Sequence, residues 1–150
     1  MKVSGEILVQ APRDEVFSRL RDARFFASCV DGVKDLTEAG ELKYNAVFET
    51  KIAYLAFRFN VAVEMSRIAP PAEIAARIEG TPIGLIGRLT ATSVARLSEA
   101  DGGTIVAYEI DAALTGRLGS LGQPVLRAKA KEMERQFAER LSAAFAGSTA

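Results

Sequence analysis

From Phe57 to Met65 apolar and polar side chains alternate: Phe57, Phe59, Val61, Val63 and Met65 take the odd positions, with Arg58, Asn60, Ala62 and Glu64 between them. A period of two is that of a strand with one face turned inward. The same phase runs through the stretch from Lys43 to Leu114. Tyr44, Ala46, Phe48 and Thr50 oppose Lys43, Asn45, Glu49 and Lys51, and Ile74, Ala76 and Ile78 oppose Glu73, Arg77 and Glu79. Leu89, Ala91, Ser93, Ala95 and Leu97 oppose Arg88, Thr90, Thr92 and Arg96, and Val106, Tyr108, Ile110, Ala112 and Leu114 oppose Glu109 and Asp111. Pro70-Pro71, a segment from Gly80 to Gly87, and Asp101-Gly102-Gly103 break the runs as turns. Short turns between sequential strands predict an antiparallel meander with one oily and one wet face.

Before the meander, Val3, Gly5, Ile7 and Val9 alternate as a first strand that stops at Ala11-Pro12. A helix follows, with Pro12 at its start, Asp14 and Glu15 at its positive end, and Val16, Phe17 and Leu20 as its inward stripe. A second short helix spans 23–28, then a short strand 33–36 and a turn at Glu38-Ala39-Gly40. After the meander comes one long helix. Leu126, Ala130, Met133, Phe137, Leu141 and Ala144 share a face, Arg127, Lys131, Glu134, Arg135 and Glu139 form the solvated side, and Leu118, Leu121 and Val125 point elsewhere, so a break is expected near Pro124. The elements make an α+β class: a seven-stranded antiparallel sheet, two short helices after the first strand, and a long terminal helix across the oily face. One domain over 1–146 with a short tail over 147–150 is the expected organisation.

Composition narrows the chemistry. A chain of 150 residues buries roughly 68–70 % of its unfolded surface, enough for one core. Nineteen basic and 19 acidic residues leave no net charge, which argues against nucleic acid as a partner. With no histidine there is no imidazole base, no Ser-His-Asp triad and no ordinary zinc site, so most hydrolase readings fall; the expected site has no catalytic residue, metal or cofactor. Cys29 has no histidine to activate it and reads as a small buried residue; as a single cysteine it fits a reducing cytoplasm. The start, Met1 to Glu6, lacks the apolar core of a signal peptide, and no run of 18 apolar residues occurs.

The inward positions mix large groups, Phe48, Phe57, Phe59, Met65 and Tyr108, with small ones, Ala46, Ala76, Ala91, Ser93, Ala95 and Ala112. Either the helix docks very close, or space of ligand size, about 300–1,000 Å³, is left between sheet and helix. In the second case Phe48, Phe57, Phe59, Tyr108, Ile110, Met133 and Phe137 supply apolar surface and Tyr44 or Tyr108 an orienting hydrogen bond. The turn Thr81-Pro82-Ile83-Gly84-Leu85-Ile86-Gly87 is unusually aliphatic. Leu85 and Ile86 then gate the pocket or touch a partner or membrane surface, or Ile83 and Leu85 tuck under the helix.

The element order, with Val9 to Phe17 at the first strand–helix junction, resembles the START/Bet v 1-like superfamily and implies a helix-grip fold. More narrowly, Met1 to Glu6, Ala11-Pro12, Ala27-Ser28-Cys29-Val30-Asp31-Gly32, Pro70-Pro71, Asp101-Gly102-Gly103-Thr104 and Gly116 to Gly122 together resemble the carbon monoxide dehydrogenase G-subunit (CoxG) family, often labelled polyketide cyclase/dehydrase-like. The resemblance implies an accessory protein of molybdenum hydroxylases that handles a lipophilic molecule such as a quinone, cytoplasmic and at most transiently peripheral at the inner face of the membrane, since the chain ends at Ala150 without the anchoring extension of some relatives. Two alternatives stand beside a binding module: an aromatase/cyclase-like enzyme whose tyrosines move protons on a polyketide-like substrate, and a protein–protein adaptor using the loop 83–86.

Overall fold

A computed structural model describes residues 1–146; the short tail over 147–150 lies outside the described residues. The chain runs β1 (Lys2–Val9), α1 (Arg13–Leu20), α2 (Ala23–Ser28), β2 (Val33–Gly40), β3 (Lys43–Ile52), β4 (Leu55–Ala69), β5 (Glu73–Pro82), β6 (Gly87–Ala100) and β7 (Gly103–Gly116), then a single 3-10 turn (Gly119–Leu121) and α3 (Gln123–Ala146). The strands form one seven-stranded sheet in the order β1-β7-β6-β5-β4-β3-β2, every neighbouring pair antiparallel. The sheet curves around α3, whose backbone comes nearest to β1 and β3, strands towards opposite edges. This is the helix-grip arrangement.

Local chemistry explains the corners. Asp22 caps α2 by accepting hydrogen bonds from the backbone N–H groups of Arg24 (3.0 Å) and Phe25 (3.4 Å). Thr104, fully buried, donates its hydroxyl to the Ala11 carbonyl at 2.8 Å and ties β7 to the β1–α1 corner. Val16, Phe17 and Leu20 of α1 face inward as their spacing requires. The expected break before α3 falls at Gly122, whose φ of 91° ends the 3-10 turn one residue ahead of the helix.

The structure departs from simple periodicity in four places. β2 continues to Gly40 rather than stopping at Leu36, because two register shifts against β3 carry it past its polar residues, and the turn moves to Glu41-Leu42. β5 extends through Pro82, so the aliphatic connection is the short loop 83–86. A bulge between Met65 and Arg67 reverses the parity of β4, and Ile68 rather than Arg67 packs inward, opposite Ile74. On α3, Ala144 is exposed and Phe145 is buried in its place, since the helix crosses the curved sheet and its buried stripe rotates along its length.

The core lies in two separate clusters. One, at the α1 end, joins Ile7, Val9, Val16, Phe17, Leu20, Leu97 and Val106 to Leu141 and Phe145 of α3. The other, at the opposite end, joins Ile52, Phe57 and Phe59 to Leu118, with Phe48, Leu121 and Val125 packed against it. Leu118, Leu121 and Val125 thus do not point away from the sheet; they close its far end.

Candidate functional site

Between the two clusters the parity of the strands still turns Val63, Met65, Ala76, Ile78, Ala91, Ser93 and Ile110 toward α3, yet none of them is buried. Ala130, Met133 and Phe137, on the facing stretch of α3, are likewise only partly buried, whereas Leu126 and Leu141 on either side are sealed. Small side chains on the sheet and a helix held near both edges leave the middle without the close packing of an ordinary interior. Two clefts open on the flanks of this region. One, of about 110 Å³, lies between α2 and the β2–β3 strands and includes Leu36 and Tyr44; the other, of about 310 Å³, lies between β7 and the start of α3 and includes Ala112, Leu114 and Leu126.

The polar centre of the region is a pair that the hydropathy pattern alone divides between two faces. Glu134 does not join the solvated side of α3: it is partly buried and accepts a hydrogen bond of 2.5 Å from the Tyr108 hydroxyl. Burial, and then the hydrogen bond and negative charge of Glu134, push the Tyr108 hydroxyl up to about 12, so it keeps its proton through the neutral range. Gly5, directly across the ladder from Tyr108, makes the contact possible. A Cβ at position 5 would lie 2.5 Å from the Tyr108 oxygen; only glycine lets the ring lie over β1 and reach the helix. The signal for Glu134 is present in the spacing: at about 100° per residue it projects between Leu141 and Phe145.

The other expected site residues fall in three places. Phe48, Phe57 and Phe59 form a stacked row in the far cluster, with ring centroids 5.9 and 6.2 Å apart, and Phe57 and Phe59 are buried there. Ile110 and Met133 lie in the middle, only partly buried, while Phe137 packs against the α1-end cluster with its ring 5.1 Å from that of Phe26, an exposed α2 residue that the strand and helix periodicities do not single out. Leu85 and Ile86 are exposed at the β5–β6 loop, as is Ile83, so neither Ile83 nor Leu85 tucks beneath α3. Cys29 is buried and unpaired, and burial raises its thiol above the ordinary value, which suits a packing residue. Among the described residues no group of histidine, cysteine, aspartate and glutamate is arranged to hold a metal ion, and no helix is long and apolar enough to cross a membrane.

Solved structures share this architecture. A conserved protein from Geobacillus kaustophilus superposes with a TM-score of 0.90 at 27% sequence identity, over 99% of this chain and 97% of its own. Ara h 8.0201 matches at a TM-score of 0.65 and 10% identity, over 95% of each chain. The di-domain ARO/CYC StfQ of the steffimycin biosynthetic pathway matches at 0.64 and 14% identity, over 95% of this chain and 49% of its own. The last two likenesses speak for the fold alone. No functionally curated protein matches the sequence. The sequence model of the carbon monoxide dehydrogenase G-subunit (CoxG) family, however, matches residues 5–146, nearly the whole of the packed structure, and the chain belongs to that family.

Proposed function

We propose that this protein is a non-catalytic carrier that holds an apolar, ring-bearing molecule of quinone or lipid type between the sheet and α3, as an accessory factor of a carbon monoxide dehydrogenase-type molybdenum hydroxylase. One observation carries the reading: both ends of the sheet–helix interface are sealed, while the inward apolar side chains between them keep exposed surface. Ligand pockets are mostly apolar with a few placed polar groups, and this composition fits. Ile110, Met133 and Phe137 offer the walls, Phe48, Phe57 and Phe59 the far floor, Tyr44 a rim contact, and Leu85 and Ile86 the outer loop. The Tyr108 hydroxyl already donates its hydrogen bond to Glu134, so the pair presents acceptor oxygens, suited to a ligand hydroxyl. The enzyme partner is supported by the family's description alone.

Mass spectrometry of the protein purified from its native host tests the reading. A lipophile recovered in repeated preparations, and lost with Met133→Ala/Phe137→Ala, is the expected result; preparations consistently free of any lipophile, together with no binding of a short-chain quinone in titration, overturn it.

The Tyr108–Glu134 pair also favours a second reading, an aromatase/cyclase-like enzyme. A tyrosine that stays protonated beside a carboxylate is a proton donor and acceptor within 2.5 Å of each other. Turnover of an aromatic polyketide mimic that vanishes in Tyr108→Phe would favour it over a carrier.

A further inference from the structure

We propose that the free edge of β1 pairs with the same edge of a second copy of this chain, antiparallel about a two-fold axis at Ser4, so that the two sheets run on as one. The pairing does not depend on what the interior holds. β1 is the outermost strand on one side of the sheet, and its one neighbour, β7, runs beside it in unbroken register from Lys2 opposite Asp111 to Val9 opposite Thr104. Met1 and Ala112 exchange both backbone hydrogen bonds, at 2.6 and 2.8 Å, which fixes the phase: Val3, Gly5, Ile7 and Val9 bond to β7, while the backbone N–H and C=O groups of Lys2, Ser4, Glu6 and Leu8 point away from the sheet. All four of these residues are exposed, and their outward backbone groups have no partner among the described residues. The opposite edge is protected: β2 shifts register twice against β3, Asp35 adopts a φ of 55°, and α2 lies beside it. β1 has no proline and no bulge, and Leu8 on its outer face is 51% exposed.

Charge selects a second copy as the occupant. Two antiparallel edges join through residues whose outward backbone groups face each other, so the even-numbered residues pair, and the position of the axis decides which side chains meet. An axis at Ser4 sets Lys2 opposite Glu6 of the second copy, Ser4 opposite Ser4, and Glu6 opposite Lys2, so opposite charges meet on both sides and like charges nowhere. An axis at Glu6 sets Glu6 against Glu6, and one at Lys2 sets Lys2 against Lys2; an axis at Val3, Gly5 or Ile7 puts neither charge directly opposite the other. Each facing pair exchanges both N–H···O bonds, which satisfies the edge groups of Lys2, Ser4 and Glu6. The two charges are available for this. Glu49, Glu64, Glu73 and Glu79 on the outer face of the sheet are already paired with lysine or arginine, whereas Glu6, and Lys2 opposite Asp111 in the ladder, form no ion pair among the described residues.

Sedimentation equilibrium of the full chain, with amide hydrogen exchange on the same samples, tests the pairing. A concentration-dependent dimer is expected, in which the Ser4 and Glu6 N–H groups are protected and that of Leu8, beyond the facing stretch, exchanges freely. Ser4→Pro takes away an outward N–H that β7 does not use, so it should abolish the dimer while the far-UV circular dichroism stays that of the native chain. Glu6→Lys sets lysine against lysine and should weaken association by about tenfold. Lys2→Glu/Glu6→Lys restores opposite charges with their places exchanged and should recover it. A chain that stays monomeric at millimolar concentration, a dimer indifferent to Ser4→Pro and Glu6→Lys, protection at Leu8 in place of Ser4, or no recovery in the double variant would overturn the proposal.

Discussion

The ends and the middle of the sheet–helix interface are built from the same alternating strands and the same helix, yet they pack differently. At the α1 end Leu141 and Phe145 are enclosed by Val9, Val16 and Leu97, and at the far end Phe57 and Phe59 close on Leu118. Between them Ala76, Ala91 and Ser93 of the sheet and Met133 of α3 are only partly buried. Side-chain size makes the difference: large groups meet large groups at the ends, and small sheet residues meet a helix held off by the curvature in the middle. Stability therefore belongs to the ends.

Substitutions should separate the two regions. Phe145→Ala is expected to destabilise the fold by about 3–5 kcal/mol in urea denaturation, the cost of emptying a closed aromatic site. Leu141→Ala should follow at about 2–5 kcal/mol. Met133→Ala, though also on the inner face of α3, should cost less than about 1.5 kcal/mol, because its side chain is only partly buried. A loss at Met133 as large as that at Leu141 would show that the middle is ordinary core.

The polar pair offers a finer test. Gly5→Ala should cost about 1–3 kcal/mol by driving the Tyr108 ring off β1. The tyrosinate absorbance of Tyr108 should then appear at lower pH than about 12, as it should in Glu134→Gln, where the hydrogen bond to a charged carboxylate and its negative field are gone. The sign for stability follows from a folded value above the ordinary one of 10: the contribution is present in full below pH 10 and falls as pH rises towards 12. Tyr108→Phe should flatten that decline. The smallest effect is expected outside the interface, where Glu64→Gln, which removes the exposed ion pairs to Arg77 and Lys43, should change stability by no more than about 1 kcal/mol.

Much of this architecture is legible from parity alone. The meander, the inward faces of β3, β5, β6 and β7, and the break ahead of α3 follow from the period of two, the turn residues and the Gly122-Gln123-Pro124 junction. The bulges are not legible, since an extra residue in β2 or β4 leaves no compositional mark and shifts phase only through pairing with its neighbour. The charge of Glu134 argues for the wet side while its spacing puts it on the inner stripe, and Tyr108 supplies the partner that makes burial tolerable. Leu85 and Ile86 are visible as unusual in sequence, but their exposure depends on β5 continuing to Pro82 and leaving a loop too short to fold back. The β3–β4 turn carries no signal, because Ala53-Tyr54 at positive φ runs against the usual preference for Asn-Gly.

The most direct test of the central claim is binding at the partly buried middle. With no tryptophan present, emission from Tyr44, Tyr54 and Tyr108 can be followed while a short-chain quinol is titrated in. The account predicts saturable quenching in the native chain, weakened at least tenfold by Met133→Ala/Phe137→Ala and left unchanged by Glu64→Gln. No saturation, or saturation unaffected by the Met133 and Phe137 substitutions, would contradict it.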